Sequence, residues 1–373
     1  MRIVIAPNSF KNCLPARAVA EAMARGIHAA CPEAVTDIIP LSDGGDGLVA
    51  VMGAQLPGDL ISTKTLDPLG HPLQALWFKT RDYALIEMAL ASGLARLKGP
   101  REYAPLTAST FGTGLLIRAA LDHGCRRIIL GLGGSATVDA GCGMASALGF
   151  RFLDHQEQPI PAGGGGLDRL ERITADRADD RIKTITVVAL TDVQNQLLGE
   201  SGAARVFAPQ KGASPAEVKT LEHNLAHWSL VVERDLGRSV AAIPGAGAAG
   251  GLGAGCMAFL GATLVSGAQW MAEQTGLREA IRQADLVLTG EGRIDRQTAL
   301  GKVPAHVARI AKSLNKPAIA LGGSVADNTD LTSQGITRCV SITPPGVSLD
   351  EAIKKAKTNL EKTSAELMIS CRR

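Results

Sequence analysis

Four apolar runs of this chain end in residue types that handle carboxylate, phosphate and protons. Arg2–Ala6 leads into Asn8-Ser9-Phe10-Lys11, and Ile38–Leu41 into Ser42-Asp43-Gly44-Gly45. Ile185–Leu190 leads into Thr191-Asp192, and 285–289 into Gly290-Glu291-Gly292-Arg293-Ile294-Asp295. In open parallel sheets, ligands bind just outside the carboxyl ends of the strands. Any one of these ends also reads as a turn or a helix cap. Four of them, combining acids with a lysine and an arginine, point to a shared polar site.

Two glycine clusters add a second kind of chemistry. Gly131 to Asp139 reads GLGGSATVD and lies between an expected strand and an expected helix. There Gly133 and Gly134 let the backbone approach a phosphate, the helix start offers N–H groups, and Ser135 and Thr137 add hydroxyls. The competing reading is a tight turn that packs small residues. Gly245 to Gly251 holds a G-x-G-x-x-G, with Gly247 and Gly251 as further candidates for close approach to a nucleotide. A dinucleotide site would need a strand before it, for which Ser239–Ile243 is only a fair candidate, and an acid about 20 residues on. Glu273 is near that distance but sits in a helical pattern. A nucleotide-dependent oxidoreductase is therefore a minor alternative. No GxxxxGK[ST] occurs, which excludes an ordinary P-loop.

Bound phosphates require charge control. Asp43, Asp192, Glu291 and Asp295 are the candidate carboxylates. Magnesium takes one or two carboxylates together with phosphates and water, and another carboxylate can accept the proton of an attacking hydroxyl. Lys11, Arg293 and Lys302 are the candidate cations. Glu87, in Ile86-Glu87-Met88-Ala89, reads equally as a site acid and as a satisfied core carboxylate. His223 and His227 share a helix face but have no third partner at metal spacing, so a surface helix is expected there.

The elements that must position these residues alternate between strand and helix. Helices are expected over Pro15–Cys31, Gly112–His123, Pro215–Leu236 and Leu349–Met368; strands also over Arg127–Leu132, Pro317–Leu321 and Cys339–Ile342. Runs 61–66, 73–79 and 84–90, separated by turn signals, predict an antiparallel patch. Gly163 to Gly166 is expected to be a flexible surface loop. This rhythm predicts α/β architecture. One α/β domain is built from both chain ends, 1–64 plus 275–373, and a mixed α/β domain, 65–274, is inserted, with the site in the cleft between them.

Composition narrows the function. Of 373 residues, 42 are glycine and only 3% are aromatic. The net charge is +3, from 39 basic and 36 acidic residues, with no basic run. Nucleic-acid binding is not expected. Seven separate cysteines without a CxxC pair read as reduced thiols, and the N-terminus has no secretory pattern, so a cytoplasmic protein is expected. The segment Ser239–Ala272 carries no charge, but its eight glycines and Pro244 argue for a buried glycine-rich loop and core helix rather than a membrane span.

Taken in order, these motifs resemble the type 1 glycerate kinases, from Ile3 to about Ile342. The matching segments are APNSFK (6–11), DGGDG (43–47), IEMA (86–89), STFGTG (109–114), GGSATVD (133–139), Asp192-Val193, FAPQKGA (207–213), Gly245 to Gly253, and TGEGRIDRQT (289–298). The resemblance implies two α/β domains, one discontinuous with a Rossmann-like parallel sheet, and ATP-dependent phosphorylation of D-glycerate with Mg2+, usually to 2-phosphoglycerate. It implies Asp192, Asp295 and Lys11 as catalytic residues, with Asp192 also a metal ligand. Ser9, Asp43, Gly44 and Arg293 are the implied substrate contacts, and Gly133, Gly134, Ser135, Thr137, Gly247 and Gly251 lie toward ATP. The chain departs from the usual pattern at Asn8, where the family has Asp, at Asn12-Cys13, at Ala140, where it has Gly, and at Thr191, Gln194 and Gln196. Asn8 and Gln194 each remove a carboxylate, so a sensor that binds without turnover is the second alternative.

Overall fold

The computed structural model describes residues 1–327 and 329–371. The chain divides into two compact units, Met1–Asp43 with Ser266–Arg373, and Gly44–Val265.

The first unit is built on a five-stranded sheet. Its order is Ile336–Ser341, Ala318–Val325, Leu286–Ile294, Arg2–Ile5, Val35–Ile38, and every pairing is parallel. Arg2–Ile5 reads as an unbroken apolar run because it is covered on both faces: Ile3, Val4 and Ile5 are fully buried. Helices Ala16–Ala30 and Leu349–Cys371 contribute Val19, Met23, Ile27, Leu360 and Met368 to the same core as Ile3 and Ile5. Val35–Ile38 is an edge strand, and its Asp37 accepts from the Arg2 guanidinium.

Two strand boundaries differ from expectation in ways that matter. The second strand is Val35–Ile38 rather than 38–41, because its register follows Arg2–Ile5. Ile39 and Leu41 continue irregularly, donating to the Ile5 and Pro7 carbonyls. The strand expected over 285–289 runs on to Ile294, held by parallel pairing as far as Ile294 with Val325. The Gly290–Ile294 motif is therefore strand, not the loop after it.

The second unit holds a six-stranded sheet in the order Thr263–Val265, Thr186–Leu190, Arg127–Gly131, Ala84–Glu87, Pro72–Lys79, Asp59–Leu66. The first four strands are parallel and the last two antiparallel. The antiparallel patch is thus the outer part of one mixed sheet. Its tight hairpin is fixed by Asp67, whose carboxylate accepts from the Leu69 and His71 N–H groups. Helix Pro215–Leu236 begins with a capping box between Ser214 and Glu217. Its buried Trp228 joins Phe150, Phe152 and Phe259 in the core.

Two expectations for glycine segments are corrected. Gly163–Gly166 is not a flexible surface loop. Gly163, Gly164 and Gly166 are buried, Gly164–Arg169 forms a 3-10 turn, and the Asn224 amide donates to the Gly164 and Gly165 carbonyls. Backbone packing against Leu106, Thr107 and Val138 leaves no room there for a side chain. Nor does a strand precede the G-x-G-x-x-G. Residues 241–247 are turns, and helix Ala248–Leu260 begins with left-handed Ala249, Gly250 and Gly251. The uncharged segment is a loop leading into a buried helix, and no helix among the described residues is long and apolar enough to cross a membrane.

Candidate active site

In the first unit, the long strand Leu286–Ile294 supplies most of the chemistry. Side chains alternate along a strand, so Glu291, Arg293 and, just beyond it, Asp295 fall on one side. The Arg293 Nε lies 3.3 Å from an Asp295 carboxylate oxygen, and Arg293 is largely exposed. Asp295 also accepts from the Gln297 N–H at 2.9 Å. Thr298, fully buried, ties the two acids together: its hydroxyl donates to Glu291 Oε1 at 2.6 Å and accepts from the Asp295 N–H at 3.1 Å. Lys302 Nζ stands 3.8 Å from the other Glu291 oxygen.

Glu291 is the electrostatic centre of this group. Burial pushes its carboxyl up to about 7. Lys302 and the Thr298 hydroxyl oppose that shift, while the nearby charges of Asp43 and Asp295 add to it. The Asn8–Lys11 segment is fixed on the neighbouring strand, with the Asn8 N–H bonded to the Gly290 carbonyl at 2.8 Å. The Asn8 side-chain oxygen accepts from the Ser9 N–H at 2.8 Å. Lys11 is exposed. Ser9, Lys11, Asp43, Arg293 and Asp295 thus all belong to the first unit, at or near the carboxyl ends of its strands.

In the second unit, the chemistry is carried by backbone and by buried polar groups. The loop after Arg127–Gly131 packs on the Gly44–Gly47 turn. A Cβ on Gly133 would lie 2.2 Å from the Gly45 Cα, so only glycine allows the two backbones to meet. On its other side the loop is clamped to residues 92–94: the Ala136 N–H donates to the Ser92 carbonyl and the Leu94 N–H to the Gly134 carbonyl. Gly44–Gly47 leads into the short helix Leu48–Gly53, whose first turn is capped by Glu87 through the Gly47 and Val49 N–H groups. Burial raises the Glu87 carboxyl to about 7 against those two hydrogen bonds. The satisfied core carboxylate is the reading that fits its geometry.

Asp139 is fully buried and accepts from the Thr110 N–H and hydroxyl and from the Gly141 and Gly143 N–H groups, at 2.8–3.1 Å. Burial pushes its carboxyl up, and those donors pull it back. Lys211 is also buried, and its ammonium donates to the Ser135 hydroxyl oxygen and the Thr137 carbonyl, each at 2.7 Å. Burial lowers its ammonium to about 7, opposed by the Asp139 charge. The Thr137 hydroxyl is buried without a hydrogen-bond partner among the described residues.

Gly247 and Gly251 lie behind this loop. A Cβ on Gly247 would meet the Gln196 carbonyl at 2.3 Å, and one on Gly250 the Thr137 carbonyl at 2.0 Å. The Ala140 N–H donates to the Gly250 carbonyl. Protein backbone occupies the space that a dinucleotide would need at the G-x-G-x-x-G. With the missing strand, this removes the oxidoreductase reading. Asp192 is partly exposed and follows the strand Thr186–Leu190. No group of three or more metal-ligating side chains suited to an ion occurs among the described residues. A cavity of about 340 Å³ elsewhere in this unit is lined by Ser109, Phe111, Cys142, Phe150 and Phe152, and by none of the candidate residues.

Lys211 and Thr298 are the polar groups that residue types alone did not single out. Lys211 sits in the FAPQKGA segment, and Thr298 closes the TGEGRIDRQT segment. Their signal was membership of those segments, with no local pattern to give either a role.

Comparison with known proteins gives one consistent family. The model of the glycerate kinase family matches residues 3–372. A glycerate kinase of Halalkalibacterium halodurans is 44% identical over 370 residues, covering 98% of this chain and 97% of its own. A glycerate 2-kinase of Escherichia coli K12 is 42% identical with the same coverage. A crystal structure of a protein assigned as glycerate kinase 2 from Salmonella typhimurium LT2 superposes with a TM-score of 0.84 at 41% identity, covering 100% of this chain and 98% of that one.

Proposed function

This chain belongs to the glycerate kinase family, and from that premise we propose that it transfers the γ-phosphoryl group of ATP to the 2-hydroxyl of D-glycerate, giving 2-phospho-D-glycerate and ADP. The observation that carries this reading is the family match from residue 3 to residue 372, together with relatives named for this activity that align over nearly their whole length.

The first unit supplies the residues for glycerate. Lys11 and Arg293 are cations of the kind that hold a carboxylate, and Ser9 and Asp43 are further contacts in this reading, with Gly44, the first residue of the second unit, following Asp43. Asp295, beside Arg293, accepts the proton of the attacking hydroxyl. The hydroxyl oxygen forms the new P–O bond as the bond to the ADP leaving group breaks. Lys11 also offsets charge on the transferring group.

The second unit supplies the residues for the nucleotide. The donor set of the 133–137 loop fits phosphate oxygens: it holds the Ser135 hydroxyl and a buried Thr137 hydroxyl that lacks a partner among the described residues. Gly133 and Gly134 let that loop run close to its neighbours, and Gly247 and Gly251 serve ATP from behind, as its support. Asp192 is the carboxylate that would hold Mg2+, and phosphate oxygens and water would complete its ligands. When bound, the ion supplies charge neutralisation on the phosphates.

A coupled assay of ADP release tests the reading. ADP formation that depends on D-glycerate, ATP and Mg2+ is expected. Folded protein that binds glycerate or ATP calorimetrically but releases no ADP would favour the sensor instead, in which Asn8 and Gln194 have cost the chain its turnover. A cytoplasmic location and small-molecule substrates complete the proposal; no partner macromolecule is required by it.

A further inference from the structure

Lys211 is buried, and among the described residues no counter-ion is in hydrogen-bond contact with it. Among the described residues its hydrogen bonds go to the Ser135 hydroxyl oxygen and the Thr137 carbonyl, both in the glycine-rich loop. Taking an ammonium out of water is unfavourable, and an apolar side chain of equal length would fill the same space more readily. A purely structural role does not call for a charge here.

The hydrogen-bond inventory gives it a different one. While protonated, the lysine ammonium has donors only, so the Ser135 oxygen accepts from it. The proton of Ser135 is then left to donate elsewhere. The carbonyl of Thr137 is fixed by the same ammonium and by close packing against Gly250. The Thr137 hydroxyl remains buried and has no partner among the described residues. One cation therefore fixes both ends of a three-residue segment and leaves two hydroxyls uncommitted.

We infer that Lys211 is a positioning residue for nucleotide binding, which holds Ser135 and Thr137 so that their hydroxyls donate to phosphoryl oxygens of ATP. This rests on the kinase reading of the same loop. Lys211 does not touch the nucleotide; it acts through Ser135, as outer-shell partners orient the groups that make first contact.

The test is calorimetric titration of ATP into wild-type protein, K211M, S135A and the double variant, with steady-state kinetics on each. K211M is expected to raise the ATP Kd and the KM for ATP by roughly 10-fold, while kcat changes much less. S135A should show a loss of the same kind. The double variant should bind no more weakly than K211M alone, because both changes remove one interaction. The thermal midpoint of K211M should not fall, and its dependence on pH between about 7 and about 10.5 should flatten, since in that window the unfolded wild-type chain holds the lysine proton that the folded state has released, so wild-type stability rises with pH there. Unchanged ATP affinity in folded K211M, or losses that multiply in the double variant, would overturn the inference. If K211M does not fold, S135A decides it, and an unchanged Kd there overturns it equally. Wild-type protein that binds no ATP would sink the kinase reading itself; wild-type and K211M proteins that bind it alike would sink only this inference.

Discussion

The two units place their polar chemistry in opposite ways. In the first, the working groups are charged side chains on strand ends, and Lys11 and Arg293 reach solvent. Its one deeply buried acid, Glu291, is tied down by Thr298 and Lys302. In the second, the working surface is backbone. Glycines bring two loops together, and the charged residues Asp139, Lys211 and Glu87 are buried behind them as supports. Exposed charges suit a small carboxylate that must enter, be held and leave. A rigid backbone loop suits a phosphate chain, whose oxygens accept from N–H and O–H donors fixed before the ligand arrives. On this difference rests the proposal that glycerate binds the first unit and the nucleotide the second, and variants can break that division.

The largest effect is expected at Asp192. D192N should lower kcat by roughly 10²–10⁴-fold and demand more Mg2+ for half-maximal activity, measured by metal titration of the coupled assay. A wild-type Mg2+ requirement would remove Asp192 from the metal site. Next comes Lys11. K11M should raise the KM for glycerate by roughly 10–100-fold, the loss of one charge-assisted contact, and leave the KM for ATP nearly alone. A shift confined to ATP would reverse the division of the two units.

The buried acids give a pH signature. Glu87 and Glu291 both have folded pKa values of about 7, raised from 4.5. The folded state therefore binds more protons than the unfolded chain between those values. Their contribution to stability is fully present below about 4.5 and is lost as pH rises to about 7. E87Q should flatten that fall, by an amount on the order of 3 kcal/mol across the window, in denaturant titrations at several pH values. E291Q should flatten it as well and also alter the pH profile of turnover, since Glu291 neighbours Asp295. A slope unchanged in E87Q would contradict the assignment of that acid.

How much of this was legible from sequence divides along the same line. Lys11, Asp43, Arg293 and Asp295 declared themselves by type and by their place after apolar runs, and the structure sets them at or near strand ends of the first unit. The glycine clusters at 131–143 and 245–255 were visible too, but their use was not. Glycine spacing does not tell whether a backbone meets a ligand or another backbone, and Gly133 and Gly250 meet backbone. Lys211 was invisible because a lysine in sequence reads as surface, and only the fold reveals it buried. The extent of Leu286–Ile294 was missed because Gly290 and Gly292 read as turn signals, whereas pairing with Ala318–Val325 overrides that preference.

Two smaller effects sharpen the picture of the backbone-built unit. G133A has to push Gly133 away from Gly45 and should destabilise the protein by about 1–3 kcal/mol, with a weaker ATP affinity and an unaltered KM for glycerate. Ala140 stands where the family pattern has glycine and is left-handed, with φ of 49°. A140G should relieve that strain and stabilise the fold by about 0.5–1 kcal/mol, part of the gain being offset by the freer unfolded chain. Thermal melts of both variants check the signs.

The central claim is that this chain phosphorylates the 2-hydroxyl of D-glycerate. Phosphorus NMR of a reaction containing wild-type protein, D-glycerate, ATP and Mg2+ tests it most directly. The account predicts a 2-phosphoglycerate resonance growing in step with ADP. A 3-phosphoglycerate resonance, or ATP left intact beside folded protein and glycerate, would contradict it.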